Sequence, residues 1–317
     1  MRVCLMIEGQ EGVTWDEWVG LARLVERHGL EGLFRSDHYT AIIRRQADAL
    51  DAWTTLAGLA AVTERIRLGT LVSPATFRHP SVLARMAATV DHISGGRLDV
   101  GMGSGWYERE HVEHGFPFLD GKRRFELFAE QVEIVVRSWT EVSFDHSGPA
   151  YVLRGQTALP RPLQQPHPPL VLGGGSVRPR FAALAARYAN EVNVLGAPND
   201  ELRARKKALD RACAEAGRDP ETLAFSVMTA CFLGSDRGEV LDRLRRFLAV
   251  RGDGSTDAET LLAERADRWL VGTVGEVARR IEELGAIGVS RVFLQHLNRG
   301  DDEMVALAGE RLLPELR

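Results

Sequence analysis

The fold is decided by residues 64–106, which read ERIRLGTLVSPATFRHPSVLARMAATVDHISGGRLDVGMGSGW. Residues 66–72 are a short apolar run rich in Leu and β-branched side chains, and a Ser-Pro pair follows it, as is typical of a fully buried strand. Apolar side chains then recur at helical spacing over residues 82–93, and two glycines follow where a helix would end. Residues 98–102 are the next predicted strand. Because one helix joins the two strands, they must be parallel, and the stretch predicts a β-α-β unit.

The same alternation of buried strand and amphipathic helix runs through the rest of the chain. Thr14 and Glu17 predict a capping box that opens the first helix. The eight predicted strands are residues 3–7, 30–34, 66–72, 98–102, 170–172, 191–195, 223–233 and 291–295. Eight strands that alternate with helices predict an α/β fold, a single (β/α)8 TIM barrel over residues 1–317, in preference to an open doubly wound sheet.

Two polar segments interrupt this rhythm, after predicted strands 4 and 7. Residues 142–169 carry prolines among polar side chains, which argues against a long helix or a central strand. A structureless insertion of this length in a compact domain is typical of a functional loop, so we interpret residues 142–169 as a lid. The second insertion, residues 251–270, is predicted to contain one more helix.

Composition restricts the class of protein. The 317 residues are 44% hydrophobic, which is enough for a large core. The net charge is −4 with the two signs interspersed, which argues against nucleic-acid and membrane partners. The amino terminus turns polar too early for a signal peptide, and the three scattered cysteines fit reduced thiols. We therefore expect a cytoplasmic protein.

The barrel prediction indicates where chemistry can occur, because catalytic side chains of such barrels lie at the carboxyl ends of the strands. The side chains that this rule places at one rim are Glu8, Asp37, His38, Ser73, Trp106, Ser176, Asn193, Gln295 and His296. An imidazole beside a carboxylate suits proton transfer near neutral pH, so we predict His38 and Asp37 as catalytic. The alternative is a surface histidine that caps the next loop.

Two glycine-rich segments also follow predicted strands. Residues 173–176, Gly-Gly-Gly-Ser, precede a helix, and exposed N–H groups at a helix amino terminus predict a phosphate site; a tight turn without a ligand is the alternative. The glycines within residues 101–105 lack the spacing of a dinucleotide fingerprint. We interpret them as positions without side chains that leave room for a flat ring, with Trp106 as a wall of the site. A sterically crowded loop is the alternative.

No metal site is predicted. His111 and His114 are three residues apart, no third ligand is evident, and the segment follows a charged run, so a solvated helix is the better interpretation. The sequence also shows no nucleophilic serine elbow, Cys–His pair or Walker loop.

Several motifs together resemble those of the bacterial luciferase-like superfamily. They are SDHY (36–39), AWTTLA (52–57), ERIRLGTLVSPATFRHP (64–80), ISGGRLDVGMGSGWY (93–107) and PLVLGGG (169–175). The chain most resembles the branch that uses the deazaflavin coenzyme F420, because VGTVGEVARRI (271–281) and RVFLQ (291–295) also match that branch. Relatives that use FMN share the same barrel.

The resemblance implies a deazaflavin ring at the barrel mouth, with its phosphate near residues 173–176. It also implies a non-prolyl cis peptide behind the ring, at the Leu71–Val72 bond, and places His38 beside the ring as the acid or base. The cofactor-binding residues expected on these grounds are Leu71, Val72, Ser73, Gly103, Gly105, Gly173, Gly174, Gly175 and Ser176.

Members of the superfamily that oxidise a sugar phosphate have a glutamate where this chain has Trp106, which argues against that substrate. The candidate substrate contacts that remain are Glu8, Tyr39, Trp106 and Gln295.

The activity implied by the resemblance is that of an F420-dependent oxidoreductase. Hydride would pass between the deazaflavin and a C=C, C=N or C=O bond of a small organic substrate, in either direction, while His38 moves the proton. An FMN-dependent two-component monooxygenase with a larger, oxygen-protected pocket is the first alternative, and a non-catalytic flavin-binding barrel is the second. Members of the superfamily are commonly dimers, so we expect a homodimer.

Overall fold

A computed structural model describes residues 1–44, 46–157 and 159–316. Within these ranges the strands are β1 (Arg2–Ile7), β2 (Gly32–Arg35), β3 (Arg67–Thr70), β4 (Ser73–Pro74), β5 (Leu98–Gly103), β6 (Ser143–Ser147), β7 (Val152–Thr157), β8 (Leu170–Gly173), β9 (Glu191–Leu195), β10 (Ala224–Gly234), β11 (Leu270–Thr273) and β12 (Val289–His296). The helices are α1 (Trp15–His28), α2 (Ala52–Val62), α3 (Pro80–Ser94), α4 (Glu108–His114), α5 (Gly121–Thr140), α6 (Pro179–Tyr188), α7 (Asn199–Glu215), α8 (Arg237–Arg251), α9 (Ala258–Arg265), α10 (Val274–Ala286), α11 (Asp302–Leu307) and α12 (Leu313–Glu315). A 3-10 turn (Pro220–Thr222) and a π turn (Ala308–Leu312) complete them.

Eight of the strands close into a parallel barrel. Their order is β1-β2-β3-β5-β8-β9-β10-β12, and β12 pairs with β1 to close the ring. Leu5 of β1, for example, lies opposite Leu33 of β2 and Leu294 of β12. All eight are the predicted strands, so the TIM barrel prediction is confirmed.

The barrel has two apolar layers because successive side chains of a strand point to opposite faces. Leu5 and Leu33 pack outward against the helices, and burying each such side chain stabilises the fold by roughly 1.5–3 kcal/mol. Met6, Phe34 and Phe293 pack inside the barrel, where the two phenylalanine rings meet edge to face at 4.9 Å. The interior is therefore filled by side chains at its middle.

An ion cluster closes the amino-terminal end of the barrel. The buried guanidinium of Arg291 donates to Asp99 at 2.7 Å and to Glu191 at 2.5 Å. Removing one partner of a buried pair of this kind typically costs about 3–5 kcal/mol, because the other charge stays buried. Since this end is closed, the barrel interior can be reached only from the carboxyl ends of the strands.

The predicted helix signals at α1 and α3 are confirmed. Thr14 and Glu17 form a capping box at the start of α1. Gly95 ends α3 in the left-handed conformation, with φ of 67°. Both signals are local, since each depends only on residues a few positions apart.

The strand predicted over residues 66–72 is shorter in the structure. β3 ends at Thr70, the Leu71–Val72 peptide bond is cis, and the backbone pairs again with β5 as the short strand β4. Apolar composition predicted the burial of the run, but it could not show the break in the hydrogen-bond ladder.

The prediction that residues 142–169 lack regular structure is wrong. The antiparallel strands β6 and β7 form a hairpin there, and in β6 Phe144 and His146 are buried whereas Ser143, Asp145 and Ser147 are exposed. Nε2 of His146 lies 2.9 Å from Oε1 of Glu130, which fixes the hairpin to α5. The prolines that argued against a strand lie in the hairpin tip and after β7.

The position of this insertion does not support the lid interpretation. After the hairpin, Gln164 bonds to Asp91 of α3 and to the carbonyl of Leu98, at the amino-terminal end of β5. Among the described residues of 142–169, none lines the cavity at the opposite end of the barrel. The insertion therefore covers the side and the closed end of the barrel.

The second insertion contains the predicted helix, α9, and β11 follows it as an additional parallel neighbour of β10. Across the ranges that the structure describes, no helix is both long enough and apolar enough to cross a membrane.

Candidate active site

A cavity of about 600 Å³ opens at the carboxyl ends of the barrel strands. The apolar side chains that line it are Met6, Ile42, Ile43, Leu71, Val72, Pro74, Trp106, Leu195 and Met228. The polar side chains are Glu8, Gln10, Ser36, His38, Ser104, Asn193 and Gln295, and the glycines are Gly103, Gly105, Gly173, Gly174 and Gly175. A large apolar cavity with a few converging polar groups is the usual form of a ligand site.

His38 reaches this cavity and is held from behind by a buried carboxylate. Its Nδ1 lies 2.8 Å from Oε2 of Glu110, which is fully buried on α4. Since a carboxylate only accepts, Nδ1–H must donate, and Nε2 has no partner among the described residues. The other oxygen of Glu110 accepts from the backbone N–H groups of Tyr39 and Thr40. Glu110 thus fixes both the ring and the loop that carries it.

The electrostatic environment favours protonated His38. Burial by itself lowers the pKa of His38, the hydrogen bond and the charge of Glu110 raise it, and the sum of all contributions leaves the pKa above its usual value. The carboxylates of Glu8 and Asp37 act in the same direction. A histidine with a raised pKa can donate a proton near neutral pH.

Glu110 was not found by sequence reasoning, which interpreted its helix as solvated. Glu110 and His111 are buried, and Nε2 of His111 lies 2.7 Å from the hydroxyl of Thr76. No pattern within α4 distinguishes these two side chains from their exposed neighbours. Their partners lie in the loops after β2 and β4, far away in the sequence.

Asp37 does not line the cavity, and its carboxylate bonds to Ser73 and Arg78, not to the ring of His38. It is buried, and its carboxylate accepts from the hydroxyl of Ser73 at 2.6 Å and from both terminal nitrogens of Arg78. Arg78 also donates to Asp51 at 2.9 Å. The structure therefore places Asp37 behind the cavity, in a hydrogen-bonded frame with Ser73, Arg78 and Asp51. The carboxylate that orients His38 belongs to Glu110 instead of Asp37.

Ser73 and Tyr39 belong to the same frame and do not line the cavity. The hydroxyl of Ser73 accepts from the indole N–H of Trp53 at 2.9 Å. The hydroxyl of Tyr39 accepts from Arg78 at 3.0 Å. Burial, with neighbouring Asp37 and Asp51 partly offset by Arg78, raises the pKa of Tyr39 to about 12. Tyr39 is thus a neutral donor and acceptor within a satisfied network.

Val72 presents its side chain between two glycines at the bottom of the cavity. A Cβ atom at Gly103 would lie 2.6 Å from Val72, and one at Gly173 would lie 2.7 Å from it. These two glycines make room for Val72, which then forms the wall. Gly105 has φ of +79°, a conformation that L side chains rarely adopt, and a Cβ there would lie 2.9 Å from the hydroxyl of Thr76.

The predicted phosphate segment borders the same cavity. Gly173, Gly174 and Gly175 line it, whereas Ser176 is exposed and lies just beyond it, before α6. A Cβ at Gly174 would lie 3.2 Å from the ring of Phe181, and one at Gly175 would meet nothing within 4 Å. The backbone is therefore open to solvent from Gly175 onward.

Glu8 and Gln295 meet in the cavity. Gln295 donates to Oε1 of Glu8 at 2.5 Å, and Gln10 donates to Oε2 at 2.9 Å. Gln10 in turn accepts from the hydroxyl of Ser36 at 2.5 Å. The structure thus brings the predicted substrate contacts Glu8 and Gln295 together, with a neutral network behind them.

Trp106 and two isoleucines form the rim. Trp106 is 62% exposed, and its ring stands edge to face with His38 at 6.0 Å. The loop with Ile42 and Ile43 is held by Glu11, whose carboxylate accepts from the N–H groups of both at 2.7 and 2.8 Å. This loop places Ile42 and Ile43 at the cavity.

His296 faces away from the cavity, because it follows Gln295 on the same strand. It borders a neighbouring cavity of about 370 Å³, and neither ring nitrogen has a partner among the described residues. Burial, with a contribution from Arg243 and Arg246, lowers the pKa of His296 to about 4. In the described part of the chain there is no group of three or more His, Cys, Asp or Glu side chains able to hold a metal.

The residues at the cavity fit a flat ring with an anionic tail. The side chain of Val72 supplies an apolar wall between two glycines, and a bulkier residue at Gly103 or Gly173 would displace it. The backbone of residues 173–175 leads from the cavity to the amino terminus of α6, where an anion is favoured. Val72 would therefore lie behind such a ring and residues 173–175 beside its phosphate.

Comparison with known proteins shows the family of this chain. The family model of luciferase-like monooxygenases matches residues 2–291. The FMNH2-dependent dimethylsulfone monooxygenase of Pseudomonas putida is 28% identical over 321 residues, which cover 94% of this chain and 86% of that protein. The F420-dependent glucose-6-phosphate dehydrogenase of Microbacterium testaceum is 27% identical over 319 residues, which cover 95% of this chain and 94% of that protein. The relatives thus include redox enzymes of both cofactor types.

Solved structures show the same fold. A monooxygenase from Streptomyces bottropensis superimposes over all of both chains with a TM-score of 0.86 and 26% identity. An F420-dependent secondary alcohol dehydrogenase, solved with an F420–acetone adduct, superimposes over 100% of this chain and 99% of its own with a TM-score of 0.85, and at 17% identity it supports the fold alone. The chain, a TIM barrel matched over most of its length, belongs to the luciferase-like monooxygenase family.

Proposed function

We propose that this protein is a coenzyme F420-dependent oxidoreductase. When bound, the deazaflavin supplies two-electron hydride transfer to or from a small organic substrate. The observation that carries the proposal is His38, which lines the same cavity as Val72, with its Nδ1 bound to buried Glu110. His38 donates a proton to the substrate atom next to the reacting carbon, or accepts it in the reverse direction.

The open rim supports a deazaflavin in preference to FMN. Trp106 is 62% exposed and Ile42 is 38% exposed at the mouth of the cavity. Oxygen insertion by a flavin needs a site that protects a reactive oxygen adduct from water, whereas direct hydride transfer places less demand on exclusion of solvent. The described residues of the 142–169 insertion, which lie elsewhere, do not supply such protection.

An FMN-dependent monooxygenase is the second candidate function. The relative from Pseudomonas putida favours it, since it matches this chain over nearly the same length, and with nearly the same identity, as the F420-dependent relative. A barrel that binds a flavin without catalysing a reaction would share all the cavity features and would differ only in turnover.

Two titrations of the purified protein test the proposal. F420 and FMN are added separately, in oxidised and reduced forms, and binding is followed by cofactor fluorescence and absorbance. We expect F420 to bind at least about tenfold more tightly, a difference of about 1.4 kcal/mol. Tighter binding of FMN would refute the assignment, and tight binding of F420 without turnover on C=C, C=N and C=O compounds would support the non-catalytic alternative.

The expected homodimer stays a prediction. Light scattering of the purified protein would give twice 35.0 kDa for a dimer, and a mass of 35.0 kDa would contradict the expectation.

A further inference from the structure

We infer that the substrate of this site is a small cationic nitrogen compound, a protonated amine or an iminium, whose charge is bound by Glu8 and Trp106. The inference rests on the proposed function, because it concerns the molecule that lies beside the cofactor. It starts from the balance of charge on the cavity wall.

Glu8 is the carboxylate on this wall that forms no ion pair with a described residue, although its charge acts on His38 and on buried Arg35. Of the described residues that line the cavity, only Glu8 and His38 carry titratable side chains. His38 is already paired with Glu110. The two oxygens of Glu8 accept from the amides of Gln10 and Gln295, which are neutral donors. The wall therefore presents a negative charge, held in place by neutral groups.

The nearest cations lie behind the wall and have partners of their own. Arg78 donates to both Asp37 and Asp51. Arg35 is buried beneath the loop after β1, where it donates to the backbone carbonyls of Ser36 and Leu50. Arg35 and Arg78 equal Asp37 and Asp51 in number, so Glu8 adds one negative charge in excess, although Arg35 also attracts it.

The mouth of the cavity also favours a positively charged ligand. Trp106 lines the cavity and keeps 62% of its surface exposed, so that one of its faces is available to a ligand. The face of an indole ring attracts a cation within about 6 Å of its centroid. A phosphate or carboxylate substrate would gain nothing from Trp106 and would be repelled by Glu8, which gives discrimination by charge.

Three ligands of one shape test this inference: benzylamine, benzyl alcohol and benzoate. Their affinities for the cofactor-loaded protein are measured by calorimetry. We expect benzylamine to bind about tenfold or more tightly than benzoate, as is typical for one uncompensated charge in a partly buried site. In Glu8→Gln, which keeps the shape and removes the charge, this ratio falls to about one. Trp106→Leu weakens benzylamine a few-fold and leaves benzoate unchanged.

Controls separate this inference from the proposed function. Glu201→Gln removes one charge from the surface of α7 and should leave the ratio unchanged. The cofactor affinity and thermal midpoint of Glu8→Gln report whether its fold is intact. Equal binding of amine and carboxylate, binding of neither, or a ratio that Glu8→Gln does not alter would overturn the substrate class while cofactor binding persists. If neither cofactor binds, the proposed function fails, and the same ratio is then measured on cofactor-free protein.

Discussion

Replacing Glu110 with Gln should lower the pKa of His38 and shift the pH range in which His38 donates a proton. Oε2 of Glu110 lies 2.8 Å from Nδ1 of His38, and Oε1 accepts from the backbone N–H groups of Tyr39 and Thr40. Gln keeps the shape and an oxygen for these N–H groups. It removes the negative charge that favours the imidazolium.

The direction of the effect follows from the opposing contributions to the pKa of His38. Burial lowers that pKa, whereas the hydrogen bond to Glu110 and the charge of Glu110, with Glu8 and Asp37, raise it. Without the charge of Glu110, burial is less opposed and the pKa of His38 should fall; a hydrogen bond to a charged group typically contributes about 1.5–3 kcal/mol, which sets the size of the stability change. Because the folded pKa is raised, the pair stabilises the native state fully below the unfolded value near 6.5 and loses this contribution as pH rises through the folded pKa. The variant should therefore lose most stability at acid pH.

The measurement is a pH titration of isotope-labelled histidine side chains by NMR, with His38 assigned from a His38→Gln variant. The matched control is Glu108→Gln, which makes the same substitution at an exposed position of α4. As pH rises, reductive activity should fall with a midpoint at lower pH in the Glu110→Gln variant than in the wild type. In the control the midpoint should equal that of the wild type. An unchanged or higher pKa of His38 in the Glu110 variant would refute the coupling.

Three further predictions concern His38, His296 and the glycines around Val72. His38→Ala should reduce turnover by about 10²–10⁴-fold and leave cofactor affinity nearly unchanged, and loss of cofactor binding would contradict its role as acid or base. His296, with its pKa lowered to about 4, stays neutral in the native state while the unfolded chain takes up a proton below about 6.5, so stability should fall by roughly 3 kcal/mol as pH drops from 6.5 to 4. Denaturant unfolding at several pH values should show this decline in the wild type and a shallower one in His296→Leu; equal declines would exclude His296 as the cause. Gly173→Ala should weaken cofactor binding and cost about 1–3 kcal/mol of stability, because its Cβ would lie 2.7 Å from Val72, whereas Gly175→Ala, where a Cβ meets nothing within 4 Å, should change stability little. Equal effects of the two alanines would show that contact with Val72 is not the reason for the glycine.

The arrangement of the two ends of the barrel explains why a single site can form. Arg291, Asp99 and Glu191 close one end with a buried ion cluster, and Phe34 and Phe293 fill the middle. Only the end with the strand carboxyl termini remains open, and the loops there supply both the polar groups and the rim. Chemistry is thereby expected at the carboxyl ends of the strands, although Glu110, which orients His38, reaches this end from helix α4.

Local patterns were sufficient for the barrel and for its rim. Apolar runs and helical stripes decide which faces are buried, and each capping signal acts within one turn of helix, so the sequence by itself determined the strands, most helices and the open end. Parallel strands bring all their carboxyl ends to the same side, which is why His38, Glu8 and Gln295 could be placed together although they come from opposite ends of the chain.

Tertiary packing alone decided which neighbour each side chain meets. Asp37 and His38 are adjacent in the sequence, yet one bonds to Arg78 behind the cavity and the other lines it, because consecutive side chains at the end of a strand point to opposite faces. The same alternation separates Gln295 from His296. Glu110 reaches His38 from 72 residues away, on a helix whose own pattern gives no sign of burial. A hydrogen bond between distant segments depends on how the loops pack. The spacing of apolar residues along the chain therefore does not predict which distant side chains will bond.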